Sequence, residues 1–253
     1  MIPRPRRYHR SMTPAERASA VAFALKNCAL DSMAPSDATM RVTARYEYGD
    51  IDVSRLLDDA DDDRSSAVFV RTIVLAERRW PATTDLDELR AIHRGLFEGV
   101  FNDAGRLRTR DTTREDTEDR ARAKNPEAFF PANLIETGAL NIATELADKR
   151  NLRNLDRGDF IRQLAHIYDE LGYLHPFKGG NAMTLRIFAS RLAHDAGWDL
   201  DWGPVDRELY RTAKHDAYRG QTTGFERMFD LMVRPANPTR VFLIAGWDQG
   251  PAH

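Results

Sequence analysis

Cysteine is nearly absent. Cys28 is the sole one, so neither an internal disulfide nor a thiolate metal cluster can hold this chain together, and the scarcity fits a reducing, cytoplasmic setting. An excess of one charge is also missing: 37 Lys and Arg against 39 Asp and Glu leave a formal net charge of −2. Nothing in that balance draws the chain to nucleic acid or to an anionic membrane, so any binding must be argued locally. Long apolar runs are lacking too. None approaches the roughly 20 residues that cross a bilayer, and the basic start MIPRPRRYHR is followed by no apolar signal core, which predicts a soluble protein. No internal repeat is visible. What remains is 253 residues, enough for one substantial domain with a small appended module.

Helix signals dominate the chain. Thr13-Pro14-Ala15-Glu16 has the order of a capping box with proline at the first helical position, predicting a helix to about Asn27. Ala34-Pro35 interrupts it, Ser36 can cap a second helix to about Tyr48, and Gly49 ends that one. A third begins at Asp52. Residues 1–57 are therefore expected to form a small helical module, and the acidic run within 58–65 is expected to be a solvated linker. Helical patterns return over about 66–78, 85–101, 132–149, 156–173, 181–196, 204–217 and 222–233, giving a main domain over 66–234. Phe160, Leu164, Ile167, Leu171 and Leu174 illustrate the spacing of three and four residues. The expected fold class is all-α. Arg106 to Lys124 is densely charged without apolar periodicity, as in a surface loop or hairpin. The tail 235–253 carries the β-prone run Val241 to Ile244, either the start of a further module or a strand folded back.

One segment carries chemistry: Leu174-His175-Pro176-Phe177-Lys178-Gly179-Gly180-Asn181-Ala182-Met183-Thr184-Leu185-Arg186. It joins two helical patterns through a loop with two glycines, in which Gly180 and Asn181 tolerate positive φ and close backbone approach and Asn181 is suited to cap the following helix. Successive N–H groups at the following helix start form an anion site suited to phosphates. His175 beside them can take a proton near neutral pH, and Arg186, further along the helix, can meet a phosphate oxygen. His93, His166, His194 and His215 show no metal-ligand spacing and are read as structural, and no metal-binding residues are expected. Tyr173, Tyr210, Tyr218 and Trp202 are aromatic candidates beside a base, with packing the simpler role for each.

This segment resembles the signature of the Fic family, His-Pro-Phe-x-(Asp/Glu)-Gly-Asn-Gly-Arg-x-x-Arg. Ile167 to Leu171 matches its lead-in helix, and Ala91 to Phe97, Ala104 to Thr109 and Phe129-Phe130-Pro131 follow the family's order. The resemblance implies a helical bundle with a small β-hairpin flap, and transfer of AMP from ATP to a Tyr, Thr or Ser hydroxyl of a target protein. By that resemblance His175 is the general base, and Gly179, Gly180, Asn181, Ala182, Met183 and Arg186 surround the nucleotide. Arg108, Thr109, Arg110 and Phe129 belong to the flap that holds the target segment. Location would be cytoplasmic, with translocation into a recipient or host cell as the family's other setting. Two departures stand out. Gly179 occupies the position of the acidic Mg²⁺ ligand, which weakens the metal's placement, and Met183 replaces the first arginine of the signature. Both are expected to lower or alter activity, leaving a noncatalytic nucleotide- or protein-binding module and a phosphotransferase as the alternatives.

Residues 14–57, especially Ala44 to Asp52, resemble the small antitoxins that accompany Fic toxins. Their Ser/Thr-x-x-x-Glu-Gly/Asn motif aligns with Asn27 to Ser32, which implies that Asp31 is an inhibitory carboxylate facing Arg186. The module is expected to pack on the main domain and inhibit it in cis, as in a fused toxin–antitoxin pair.

Overall fold

The computed structural model describes residues 12–77, 83–113, 128–237 and 243–245. Its helices start where the sequence offers a cap. For α1 (Pro14–Ala29), Glu16 N–H donates to Thr13 Oγ1 at 3.2 Å and Thr13 N–H donates to Glu16 Oε2 at 2.7 Å, a reciprocal capping box. Ser36 caps α2 (Asp37–Tyr48), which Gly49 terminates at φ 89°. Asp52 caps α3 (Val53–Asp59), accepting from Arg55 N–H at 2.8 Å.

The acidic run that follows is more engaged than a free linker. Asp59 closes α3 and pairs with Arg55 at 2.7 Å, and Asp61 accepts a bond from the Ser36 hydroxyl. Asp63 accepts from Ser65 N–H at 2.9 Å and Ser66 N–H at 3.2 Å, capping α4 (Arg64–Glu77). Asp63, a carboxylate at a helix start, satisfies orphan N–H groups, whereas Asp59 and Asp61 are held by side chains.

Beyond α5 (Leu86–Phe97), a 3₁₀ turn over Ala132–Leu134 leads into α6 (Ile135–Asp148), followed by α7 (Arg157–Leu174) and α8 (Asn181–Asp195). Every residue of α8 from Met183 to Ala193 is buried. A helix apolar or paired all round belongs at the centre, with α5, α7 and α1 against it. Its buried Arg191 meets the equally buried Glu88 of α5, with Nη2 to Oε2 at 2.7 Å, which satisfies both charges. Apolar side chains of α1 and of the helices that follow α3 form one continuous core.

The two described strands lie away from the expected flap. β1 (Trp198–Leu200) runs antiparallel to β2 (Val233–Pro235), which follows α9 (Arg207–Tyr218) and α10 (Thr223–Met232). The described part of the C-terminal β-prone run folds back here: Ile244 bridges Asp201, and Trp202 N–H donates to Ile244 O at 3.3 Å. In the expected flap, Thr113 and Ala128 form one antiparallel bridge, and residues 114–127 lie outside the described residues. No helix is long and apolar enough to cross a membrane among those described.

Candidate functional site

The loop between α7 and α8 is built by its own sequence. His175 ends α7 in the left-handed region at φ 43°, and Gly180 starts α8 at φ 74°. Glycine is required at 180: a Cβ there would lie 2.3 Å from the Phe97 ring. Between them Phe177 is buried, and Asn181 clamps its backbone, with Oδ1 accepting from Phe177 N–H at 2.9 Å and Nδ2 donating to Phe177 O at 2.7 Å. The Asn181 side chain thus shapes the loop. The N–H groups of Asn181, Ala182 and Met183 have no partner within α8, whose first helical bond runs from Thr184 N–H to Gly180 O at 3.1 Å. Unpaired N–H groups at the positive end of a helix dipole are chemically suited to an anion.

Beside this helix start opens a cleft. Asp169, His175, Asn181, Ala182, Lys214 and Tyr218 are among its walls. The His175 ring is stacked by Phe129, with centroids 3.7 Å apart and planes 13° from parallel. Tyr210 also reaches the cleft, its hydroxyl 2.7 Å from that of Tyr168. Trp202 does not: it is fully buried, and its indole N–H donates to Ser190 Oγ at 2.9 Å.

Several expected site residues have other places. Met183 is 2% exposed, so its side chain is core and only its N–H can face a ligand. Gly179 does not line the cleft, and a Cβ there would make only an ordinary contact with Phe101 at 3.8 Å. The loop therefore offers no carboxylate where the resemblance implies a Mg²⁺ ligand. Among the described residues no cluster of three metal-ligating side chains exists. Arg108, expected to hold a target, is buried and turned inward. Its Nε donates to His175 O at 2.7 Å, its Nη1 to Arg110 O at 3.0 Å, and its Nη2 to Phe130 O and to Leu174 O at 3.3 Å. A guanidinium with four of its five N–H groups given to carbonyls fastens the base of the expected flap to the signature loop and has no two-pronged face left for a target. Thr109 and Arg110 are exposed beside it.

Arg186 is 1% exposed and faces α1. Its Nη2 meets Asp31 Oδ2 and donates to Asn27 O at 3.0 Å, and its Nε donates to Asn27 Oδ1 at 2.6 Å. The C-terminus of α1 explains the fit. Of its last four carbonyls, Lys26 O, Cys28 O and Ala29 O accept from the turn that follows, and Asn27 O accepts from Arg186. Arg186 Nη1 is buried without a hydrogen-bond partner. Lys26 secures the same helix end, donating to Gly203 O at 3.1 Å and Val205 O at 3.0 Å. Cys28 lies beside this pair. Burial pushes its thiol up to about 12, with Arg186 opposing and Asp31 adding, so it is no nucleophile.

Two contributors had little signal in the sequence. Asn27 is a polar residue that follows the apolar stretch of Ala20, Val21, Phe23 and Ala24 on the buried face of α1, and His93 sits similarly between Leu89, Ile92 and Leu96. A polar side chain interrupting an apolar stripe is the trace each leaves.

Comparison with known proteins matches residues 83–193 to the Fic/DOC family. Protein adenylyltransferase VbhT of Bartonella schoenbuchensis is 32% identical over 158 residues, covering 62% of this chain but only 31% of that protein. The probable protein adenylyltransferase Fic of Escherichia coli is also 32% identical, over 62% of this chain and 73% of its own length. A crystal structure of BepC from Bartonella tribocorum with bound AMPPNP superposes with a TM-score of 0.60 at 25% identity, over 69% of this chain and 86% of that one.

Proposed function

The chain belongs to the Fic/DOC family, and from that premise we propose that it transfers AMP from ATP to a hydroxyl of a target protein, restrained by its own first helix. The observation that carries the restraint is Arg186, held by Asp31 and Asn27 and still short of one partner. A buried guanidinium with an open N–H suits a group whose proper partner is an anion. While α1 holds it, that group is withheld from a terminal phosphate.

In the proposed reaction the ATP phosphates lie at the α8 N-terminus, where the N–H groups of Asn181, Ala182 and Met183 stabilise charge. His175 removes the proton of the target hydroxyl, the oxygen bonds to the α-phosphorus, and the bond to the β-phosphate oxygen breaks to release pyrophosphate. The flap base, fixed by Arg108, presents the target segment. Mg²⁺ lacks its usual carboxylate here, so no step is routed through it. Activity below that of a full signature is the expected consequence of Gly179 and Met183.

The test uses ATP labelled in parallel at the α- or γ-phosphate, with a lysate of candidate targets. The intact chain, Asp31→Ala and His175→Ala are compared. Label from the α-phosphate, raised by Asp31→Ala and lost with His175→Ala, is expected. Label from γ alone would select phosphotransfer. Bound nucleotide with no label on any protein would select a noncatalytic binding module, the reading that Gly179 and Met183 favour.

A further inference from the structure

We propose that His93, outside the signature segment, is a positioning residue that turns the Gly179–Gly180 peptide so that Gly180 N–H joins the phosphate-facing N–H groups of α8. The inference rests on the nucleotide reading above and adds a residue to it. His93 projects from α5 and is 1% exposed. Gly105 N–H donates to its Nδ1 at 2.8 Å. A neutral imidazole whose Nδ1 accepts carries its proton on Nε2, so the 2.9 Å contact between Nε2 and Gly179 O is a bond donated by His93. The ring plane is fixed as well, stacked on Phe177 with centroids 3.9 Å apart and a 20° tilt.

Two consecutive glycines make the intervening peptide easy to rotate, so something outside the loop must choose its orientation. In a planar trans peptide the carbonyl and the following N–H point to opposite sides. Drawing Gly179 O toward α5 therefore sends Gly180 N–H away from His93. Gly180 is also the cap residue of α8, so this N–H adjoins those of the first turn. Gly105 is built for its part: its φ is 74°, and a Cβ there would lie 3.1 Å from Arg90 O and 3.0 Å from Arg94 Cβ. The loop at the flap base thus sets the tautomer of His93, and His93 sets the peptide.

Amide side chains separate the two halves of this role. Asn places an acceptor where Nδ1 stands and keeps only the Gly105 contact, whereas Gln places a donor where Nε2 stands and keeps only the Gly179 contact. AMPPNP binding by calorimetry is expected to stay within about threefold of the unsubstituted chain for His93→Gln and to weaken about tenfold or more for His93→Asn. Equal binding by the two, or weaker binding by Gln, would overturn the proposal, since lost packing affects both alike. Should either variant fail to fold, backbone NMR of the unsubstituted chain decides. The Gly180 amide is expected to shift with AMPPNP, and a static Gly180 beside shifting Ala182 and Met183 would overturn the proposal. If neither the intact chain nor Asp31→Ala binds AMPPNP, the nucleotide reading fails and takes this inference with it. Binding without the Gln and Asn difference sinks the inference alone.

Discussion

Phe129 lies flat against His175, ring to ring at 3.7 Å, and so joins the end of the flap segment to the proposed base. The stack restricts the imidazole to one plane and shields one of its faces from water. Phe129→Ala is expected to lower AMP transfer by about one to two orders of magnitude while leaving AMPPNP affinity within about threefold, because general-base alignment matters to the reacting hydroxyl and not to the phosphates. Phe129→Tyr should retain most activity. Kinetics with paired binding measurements check both, and an equal fall in affinity would contradict the assignment.

Asn27 and Asp31 hold the same guanidinium from different depths. Asn27 is 1% exposed, whereas the Asp31 side chain keeps 34% exposure. Asn27→Ala leaves Arg186 Nε buried and unpaired, and should cost about 2–3 kcal/mol in denaturant unfolding. Asp31→Ala should cost about 1–3 kcal/mol, because the buried Arg186 loses its counter-charge while Asn27 keeps two of its bonds. Both variants should raise transfer activity.

Gly179 and Gly180 adjoin in sequence and differ in tolerance. A Cβ at 179 meets no clash and its backbone is not left-handed, so Gly179→Glu should fold with a melting temperature near that of the unsubstituted chain and raise Mg²⁺-dependent transfer. Gly180→Ala meets Phe97 at 2.3 Å from a φ of 74° and should destabilise by about 1–3 kcal/mol. Thermal melts of the pair read the contrast directly.

Arg108 serves four carbonyls through a planar fork. Lysine keeps the charge and cannot span them, so Arg108→Lys should weaken protection of the His175 loop amides in hydrogen exchange and reduce transfer about tenfold or more. Unchanged exchange in that loop would contradict the strap.

His194 gives the stability a pH dependence. Its Nδ1 lies 2.7 Å from Asp199 Oδ1, and this bond, opposed by burial and aided by the charges of Asp199 and Asp195, raises its pKa above the ordinary 6.5. A raised folded pKa means the protonated form is the stabilised one. The contribution is complete below pH 6.5 and fades as pH rises through the raised value. Unfolding free energies across that window should lose this slope in His194→Ala. A slope that persists there would assign it elsewhere.

Caps, periodicity and the signature loop were local matters, and the sequence by itself determined them. Thr13, Ser36 and Asp52 begin helices as their side chains require, and Gly49 ends one. A row of aspartates reads as repulsion, yet Asp59 and Asp63 find donors within four residues, and Asp61 finds Ser36 only once the start of α2 lies beside it. The strand at Trp198 had too few residues to leave a pattern; its partner, β2, lies more than thirty residues on. Only tertiary structure decided which groups face one another: Arg108 turned inward, Met183 in the core, His93 against Gly179, and Asn27 beside Asp31 on Arg186. Short-range bonding is written in neighbouring residues, whereas a buried polar group's partner depends on which distant element folds over it.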